Sequence, residues 1–337
     1  MSEPPSADRI WRLGYGFMAS KALFSAIELG LFTLLAEGPL DGEQIQVRLR
    51  LHPRGARDFL DTLVTAGMLE RNGGIYSNTA ETEFYLDGVK PSYVGNYFEF
   101  QSAREYSMFA SLSEALRTGK PQNEIKRGEE DWVDAMYANP ERLRMFLRAM
   151  TARSLPSAMA IARKFPWSKY KTVADVGPAE GCLLAQVALA NSHLTGEGFD
   201  LPAVEPIFNE YIASFALHER IRFRAGDFFK DPLPGADVLM MGQILHDWDL
   251  ETKRLLLKKA YDALPRGGAL IVYEHLIDDD RRTNLAGLLM SLIMLLETQR
   301  GFDFTGAECR QWMREVGFSE SHVEQLTGAE SMVVGLK

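Results

Sequence analysis

The chain has 337 residues, room for two ordinary domains, and its 46% hydrophobic and 25% charged content are those of a soluble globular protein. A net charge of −9 at pH 7 argues against nucleic acid or an anionic membrane as the main partner. No apolar run reaches the roughly 18–20 residues of a membrane span, the polar opening MSEPPSADRI is not a signal or transit peptide, and Cys182 and Cys309 make neither a disulfide framework nor a metal-ligand spacing, so no metal is expected and the cytoplasm is the default compartment.

From Asp8 to Leu35 the spacing predicts helices whose apolar residues (Ile10, Leu13, Phe17, Leu23, Ile27, Leu31, Leu34, Leu35) wrap more than one face. Such helices must be buried in their own domain or in a partner, and a homodimer interface is expected. A helix-turn-helix pattern follows. Asp41 is placed to cap a helix with Ile45, Val47 and Leu49, His52-Pro53 breaks it, and Ala56 to Leu69 forms a second helix. The Asn72-Gly73-Gly74 turn then joins two short strands into a wing. Arg54 and Arg57 on the second helix are offset by Asp58 and Asp61, so a packing or dimerisation role is favoured over DNA binding. From Tyr93 the chain is rich in aromatics and methionine: Tyr93, Tyr97, Phe98, Phe100, Tyr106, Phe109, Trp132, Met136, Tyr137, Met145, Phe146 and Met150. These suit either a core or a flat hydrophobic ligand. Lys164-Phe165-Pro166-Trp167 reads as a hinge, giving a mainly helical winged-helix dimerisation and substrate-lid domain over 1–155 and a second domain over 156–337.

The second domain opens with the apolar run Val173–Val176, a glycine-bearing turn Gly177-Pro178-Ala179-Glu180-Gly181, a helix carrying Leu183, Leu184, Val187, Ala188 and Leu189, and a strand ending at Asp200. The glycines permit close backbone approach, and an acid about 20 residues past the turn can accept hydrogen bonds from both hydroxyls of a ribose. This is the pattern of a nucleoside site. The turn lacks the full dinucleotide Gly-x-Gly-x-x-Gly, and its acidic surroundings favour a cationic cofactor over a pyrophosphate. Further strands are read over Ile221–Phe229, Asp237–Met241 and Ala269–Glu274, with Asp249 capping the helix that ends at Pro265. The alternation predicts an open, mostly parallel Rossmann-like α/β sheet, whose ligands bind at the carboxyl ends of the strands. Asp200, Asp227, Gly242 and Glu274 all fall at such ends.

Val173-Ala174-Asp175-Val176-Gly177, Gly198-Phe199-Asp200-Leu201-Pro202, Gly226-Asp227-Phe228-Phe229, Leu245-His246-Asp247-Trp248 and Leu264-Pro265-x-Gly267-Gly268 occur in this order. Together they resemble the class I S-adenosylmethionine-dependent O-methyltransferases, specifically the dimeric caffeate and acetylserotonin O-methyltransferase group and its bacterial relatives. The resemblance covers nearly the whole chain. It implies S-adenosylmethionine as cofactor, a small aromatic hydroxyl compound as methyl acceptor, and a homodimer. It also implies roles. Gly177, Gly226, Gly242, Gln243 and Ser154 lie along the cofactor, Asp200 on its ribose, Asp227 on the adenine amino group and Phe228 against the ring. Met150, Phe146 and Phe100 face the acceptor, His246 is the catalytic base, and Glu274 and Asp303 orient it. Two departures stand out: Pro178 and Ala179 replace the middle glycines of the family's turn, and Gly301-Phe302-Asp303-Phe304-Thr305 stands where many relatives have Gly-x-Glu-Arg-Thr.

A phenol of pKa ~10 and an imidazole of ~6.5 leave full proton transfer uphill by roughly 3.5 units, about 5 kcal/mol. A carboxylate on the other ring nitrogen and a nearby positive charge can narrow that gap. Asp247, adjacent in sequence, is not expected to face His246 on a helix. His275 is a rival base, but as the strand neighbour of Glu274 it should point to the opposite face. Two other functions stay open: a relative that binds the cofactor but performs non-methylation chemistry, and a winged-helix ligand-responsive regulator. The sequence does not separate an O- from an N-acceptor.

Overall fold

A computed structural model describes residues 5–127 and 136–337. Trp132, among the expected aromatics, lies outside the described residues. The chain divides into two compact units, Met1–Arg104 and Glu105–Lys337.

The first unit is mainly helical. Helices Asp8–Gly14, Gly16–Glu28 and Leu31–Ala36 precede β1 (Leu40–Asp41), helices Gly42–Arg48 and Pro53–Thr65, and the hairpin β2 (Leu69–Asn72) and β3 (Ile75–Asn78). The small sheet has order β1-β3-β2. Asp41 and Gln44 form a reciprocal capping box at the start of Gly42–Arg48. The next helix starts three residues earlier than the sequence suggested, because Pro53 occupies its first position, where a missing N–H costs nothing. Ile27, Leu31, Phe32, Leu35, Ile45, Leu60, Leu63, Leu69 and Tyr76 form the core. Asp8–Gly14 contributes nothing to it: Ile10 is 75% and Leu13 76% exposed, leaving an apolar face uncovered within the chain.

The second unit is a seven-stranded sheet of order β6-β5-β4-β7-β8-β10-β9, built from β4 (Thr172–Val176), β5 (Thr195–Asp200), β6 (Ile221–Ala225), β7 (Val238–Gly242), β8 (Ala269–Glu274), β9 (Glu320–Thr327) and β10 (Glu330–Leu336). The first five run parallel and the last two form an antiparallel hairpin on the β8 edge. The central strands alternate between two cores. Val173, Val238, Met240 and Ile271 pack on one face, and Ala174, Val176, Leu239, Met241 and Val272 on the other, as a sheet covered on both sides requires. The chain passes from β4 outward to β6 and then returns to β7, so a switch in direction falls beside β4, where open α/β sheets form their ligand crevice.

The helix Pro140–Lys164 belongs to this unit. Its Leu143, Leu147, Leu155, Ala158 and Ile161 share a core with Leu183, Leu184 and Val187 of the helix Cys182–Ala190. Compactness therefore divides the chain near residue 104 rather than at 155, a position inside that helix. The expected hinge is packed structure as well. Phe165 and Trp167 are buried in the same core, and the Trp167 indole donates to the Ile161 carbonyl at 3.1 Å. Among the described residues no helix is long and apolar enough to cross a membrane.

Candidate active site

A cavity of about 360 Å³ opens at the carboxyl ends of β4, β5 and β7. It is lined entirely by the second unit, and every cofactor-site candidate borders it: Ser154, Gly177, Asp200, Gly226, Asp227, Phe228, Gly242 and Gln243. Met150 and Phe146, expected to face the acceptor, line it too. Phe100 belongs to the first unit, where it is buried under the Arg104 guanidinium.

The backbone makes the space. Gly177 has φ +73°, and a Cβ there would lie 2.4 Å from Ile244 Cδ1; at Gly242 it would lie 1.8 Å from the Tyr273 ring. Pro178 and Ala179 line the cavity, with Ala179 in the left-handed region at φ +52°. Gln243 is also left-handed, at φ +55°. Its amide donates to Glu330 at 3.2 Å, while its Oε1 is buried and unpartnered. At one end Phe228, Phe229 and Trp248 form an aromatic wall, with Phe229 and Trp248 edge to face at 4.8 Å.

The electrostatics of this cavity are one-sided. Asp175, Asp200, Asp227 and Asp247 border it, and no lysine, arginine or histidine does among the described residues. Burial drives Asp200 up to about 7, against hydrogen bonds from the Leu201 and Ala179 backbone; Asp175 is raised well above the ordinary range by burial and then by Asp200. Asp227 behaves differently. A hydrogen bond from Lys230 lowers it, and it also accepts the Phe229 N–H. A cavity in which Asp175 and Asp200 meet no cation, the Gln243 Oε1 has no partner and one end is aromatic fits a ligand rich in hydrogen-bond donors, positively charged, and carrying a flat ring.

Beside the cavity lies a second acidic group. His246 stands in a short 3₁₀ turn, Leu245–Asp247, after β7. Its Nδ1 is 3.3 Å from Asp303 Oδ1 and 3.7 Å from Glu274 Oε2, and all three residues are buried. Glu274 ends β8 and accepts the Leu245 N–H at 3.1 Å, which fixes the turn to the sheet. Asp303 arrives on a loop pressed against the turn: a Cβ at Gly301 would lie 2.6 Å from the His246 carbonyl oxygen. The sequence reading missed this use of Gly301.

Asp247 corrects an expectation. Because the segment is a 3₁₀ turn and not an α-helix, Asp247 Oδ1 lies 3.6 Å from His246 Nε2. Burial alone would lower His246; Glu274, then Asp303 and Asp247, outweigh it and raise the imidazole to about 9. Glu274 is pushed up by burial to about 7 and Asp247 to about 6. His275, the rival base, is held elsewhere, 3.1 Å from Glu330 and 3.2 Å from Arg153, and burial drives it down to about 2. His52 caps a helix, His193 meets the Trp167 carbonyl, and His218 is exposed.

A sheet in this order, with an acid-walled crevice at its switch point, defines a nucleoside-cofactor methyltransferase. The O-methyltransferase domain family matches residues 109–319 and the O-methyltransferase dimerisation domain residues 11–88, and the chain belongs to the O-methyltransferase family. It is an S-adenosylmethionine-dependent methyltransferase. It is 42% identical over 329 residues to the tetracenomycin polyketide synthesis 8-O-methyl transferase TcmO of Streptomyces glaucescens, covering 97% of this chain and 96% of that one. It is 34% identical to 3-hydroxy-5-methyl-1-naphthoate 3-O-methyltransferase of Streptomyces sahachiroi, covering 96% and 94% of the two chains. The crystal structure of human N-acetylserotonin methyltransferase in complex with SAM superposes with a TM-score of 0.88 at 30% identity, covering 100% of this chain and 99% of that one.

Proposed function

We propose that the protein methylates a hydroxyl group on an aromatic, natural-product-like acceptor, that His246 is the general base, and that it works as a homodimer. The observation that carries the reading is the buried His246–Glu274–Asp303 cluster beside a cavity whose two most buried acids, Asp175 and Asp200, meet no cation among the described residues. When bound, S-adenosylmethionine supplies an electrophilic methyl group on a positively charged sulfur. Asp200 would hold the ribose hydroxyls, Asp227 the adenine amino group, and Phe228 the ring face. Ser154, Gly177, Gly226, Gly242 and Gln243 would complete the cofactor site, with Met150 and Phe146 toward the acceptor.

The chemistry asked of His246 is removal of one proton from the acceptor hydroxyl. Its two carboxylates fix the ring and stabilise the imidazolium that forms. With His246 raised by its carboxylates, transfer from a phenol is less steeply uphill than the roughly 5 kcal/mol facing an ordinary imidazole. In the free protein the carboxylates favour the protonated ring, and a positive charge in the neighbouring cavity acts against them to free the ring as a base. The uncovered apolar face of Asp8–Gly14 and the match to a dimerisation domain support the homodimer. The relatives' names support an aromatic acceptor. TcmO is an 8-O-methyl transferase of polyketide synthesis, and the Streptomyces sahachiroi enzyme acts on a hydroxynaphthoate. A second reading has its own observation: OxyT of Streptomyces rimosus, 36% identical, is an N,N-dimethyltransferase.

The test is product analysis with S-adenosylmethionine and paired aromatic acceptors that present either a hydroxyl or an amine at the same position. Methyl ether formation is expected. Methylation of the amine alone would replace this reading with the N-acceptor one, and turnover of neither would count against both.

A further inference from the structure

Lys253 is the fourth residue of the helix Leu250–Ala263 and is 0% exposed. Lysine is almost never fully buried without a compensating partner. This one also sits in the first turns of a helix, where the macrodipole disfavours a cation. Burial pulls its ammonium down to about 8, against Glu274, Asp303, Asp247 and Asp249. Packing alone does not call for a charge here, since the helix's other buried residues are Leu256, Leu257 and Ala260.

The contacts of Lys253 explain its place. Its ammonium donates a close hydrogen bond to the Trp248 carbonyl, lies 3.6 Å from the centroid of the Phe302 ring, and lies 5.6 Å from that of Phe304. Trp248 is two residues beyond His246, and Phe302 and Phe304 flank Asp303. Lys253 therefore ties together the two segments that carry the imidazole and one of its carboxylates. The groups around the cluster are Glu274 from β8, Asp303 from the loop, Asp247 from the turn, Asp249 at the helix cap and the buried thiol of Cys309. Asp249 is taken by Arg300 at 3.3 Å, and Arg153 and Glu297 act on Asp247. Three carboxylates thus face one imidazole, and two further cations answer them: Arg153, which acts on Asp247 and Glu274, and the fully buried Lys253.

We propose that Lys253 is an internal counter-cation of the His246 cluster, a positioning residue whose positive charge works against the three carboxylates that hold His246 as an imidazolium and whose ammonium holds the Phe302–Phe304 segment against it. This rests on the reading of His246 as the base. A merely structural lysine would affect stability and leave the proton equilibrium of His246 where it is.

The experiment is the pH dependence of kcat at saturating S-adenosylmethionine for the wild type, Lys253→Met and Lys253→Gln, with His246→Ala beside them. Removing a unit charge at this range should move the acidic limb upward by about one pH unit and cut kcat at pH 7 about tenfold. Cofactor Kd should stay within about twofold, because Lys253 does not border the cavity. An unmoved limb in both neutral variants overturns the proposal while leaving the base reading intact. A fully active His246→Ala overturns the base reading itself. Should neither neutral variant fold, titration of the Lys253 and His246 nitrogens by ¹⁵N NMR in the wild type decides. Each should sense the ionisation of the other, and two independent titrations would sink the idea.

Discussion

The cavity wall and the His246 cluster lie side by side and are both acidic, yet the chain treats them in opposite ways. In the cavity, Asp175 and Asp200 are raised by burial and no basic side chain answers them among the described residues. In the cluster, Glu274, Asp303 and Asp247 converge on His246, with Lys253 behind. The first region is electrostatically unfinished and is completed by a ligand. The second is completed from within, and what it exchanges is a proton. A buried acid without a cation therefore points to binding, and a buried acid with an internal imidazole points to proton transfer.

Among the effects on binding and stability, the largest should come from the unfinished wall. Asp200→Asn removes the charged acceptor proposed for the ribose hydroxyls, and cofactor affinity should fall about 10- to 100-fold by calorimetry. Next comes a contrast in sign. In the free protein Asp200→Asn should raise stability by about 1 kcal/mol, because it removes a burdened carboxyl. Asp303→Asn should lower it by about 1–3 kcal/mol, because it takes a partner from a buried imidazolium. Denaturant unfolding of both variants reads this, and equal signs would break the comparison.

The smallest effect is on pH. Asp200 and Glu274 at about 7, Asp247 at about 6 and His246 at about 9 all lie above their unfolded values. A raised group stabilises the fold below its unfolded pKa and loses that contribution as pH climbs through the folded one. The Tm of the free protein should therefore drop by about 5 °C between pH 5.5 and 8.5. Asp278 and Asp237, which are lowered, change charge below this window, and His275, lowered to about 2, opposes the trend only between pH 5.5 and its unfolded value of ~6.5. A Tm that rises over the same range would contradict these shifts.

Much of this was legible in the sequence because it is local. The strands β4, β7 and β8 announce themselves as apolar runs and β5 by Gly198-Phe199 before an acid, and residues at their ends, such as Asp200 and Glu274, inherit a position at the crevice from sheet topology alone. The Gly177 turn and the wing at Gly73-Gly74 are set by backbone geometry that few other residues tolerate. What was hidden depends on tertiary contact. Lys253 reads as a solvent-facing helical lysine until Phe302 and Phe304 are folded over it. Asp247 was set aside because an α-helix was assumed where a 3₁₀ turn forms. Asp175 reads as part of a strand, and its exposure to the cavity depends on where Gly177 turns. The helix Pro140–Lys164 has an apolar pattern that says it is buried, but the pattern does not name the unit that buries it.

The account turns on His246 taking the acceptor's proton, and single-turnover methyl transfer tests that most directly. Wild-type protein and His246→Ala would each be loaded with saturating S-adenosylmethionine, mixed with an aromatic hydroxyl acceptor, and followed to the methyl ether. His246→Ala should be slower by about 100- to 10,000-fold while binding the cofactor with unchanged affinity. Equal rates in the two proteins would mean that the proton leaves by another route and that the buried cluster only holds the fold together.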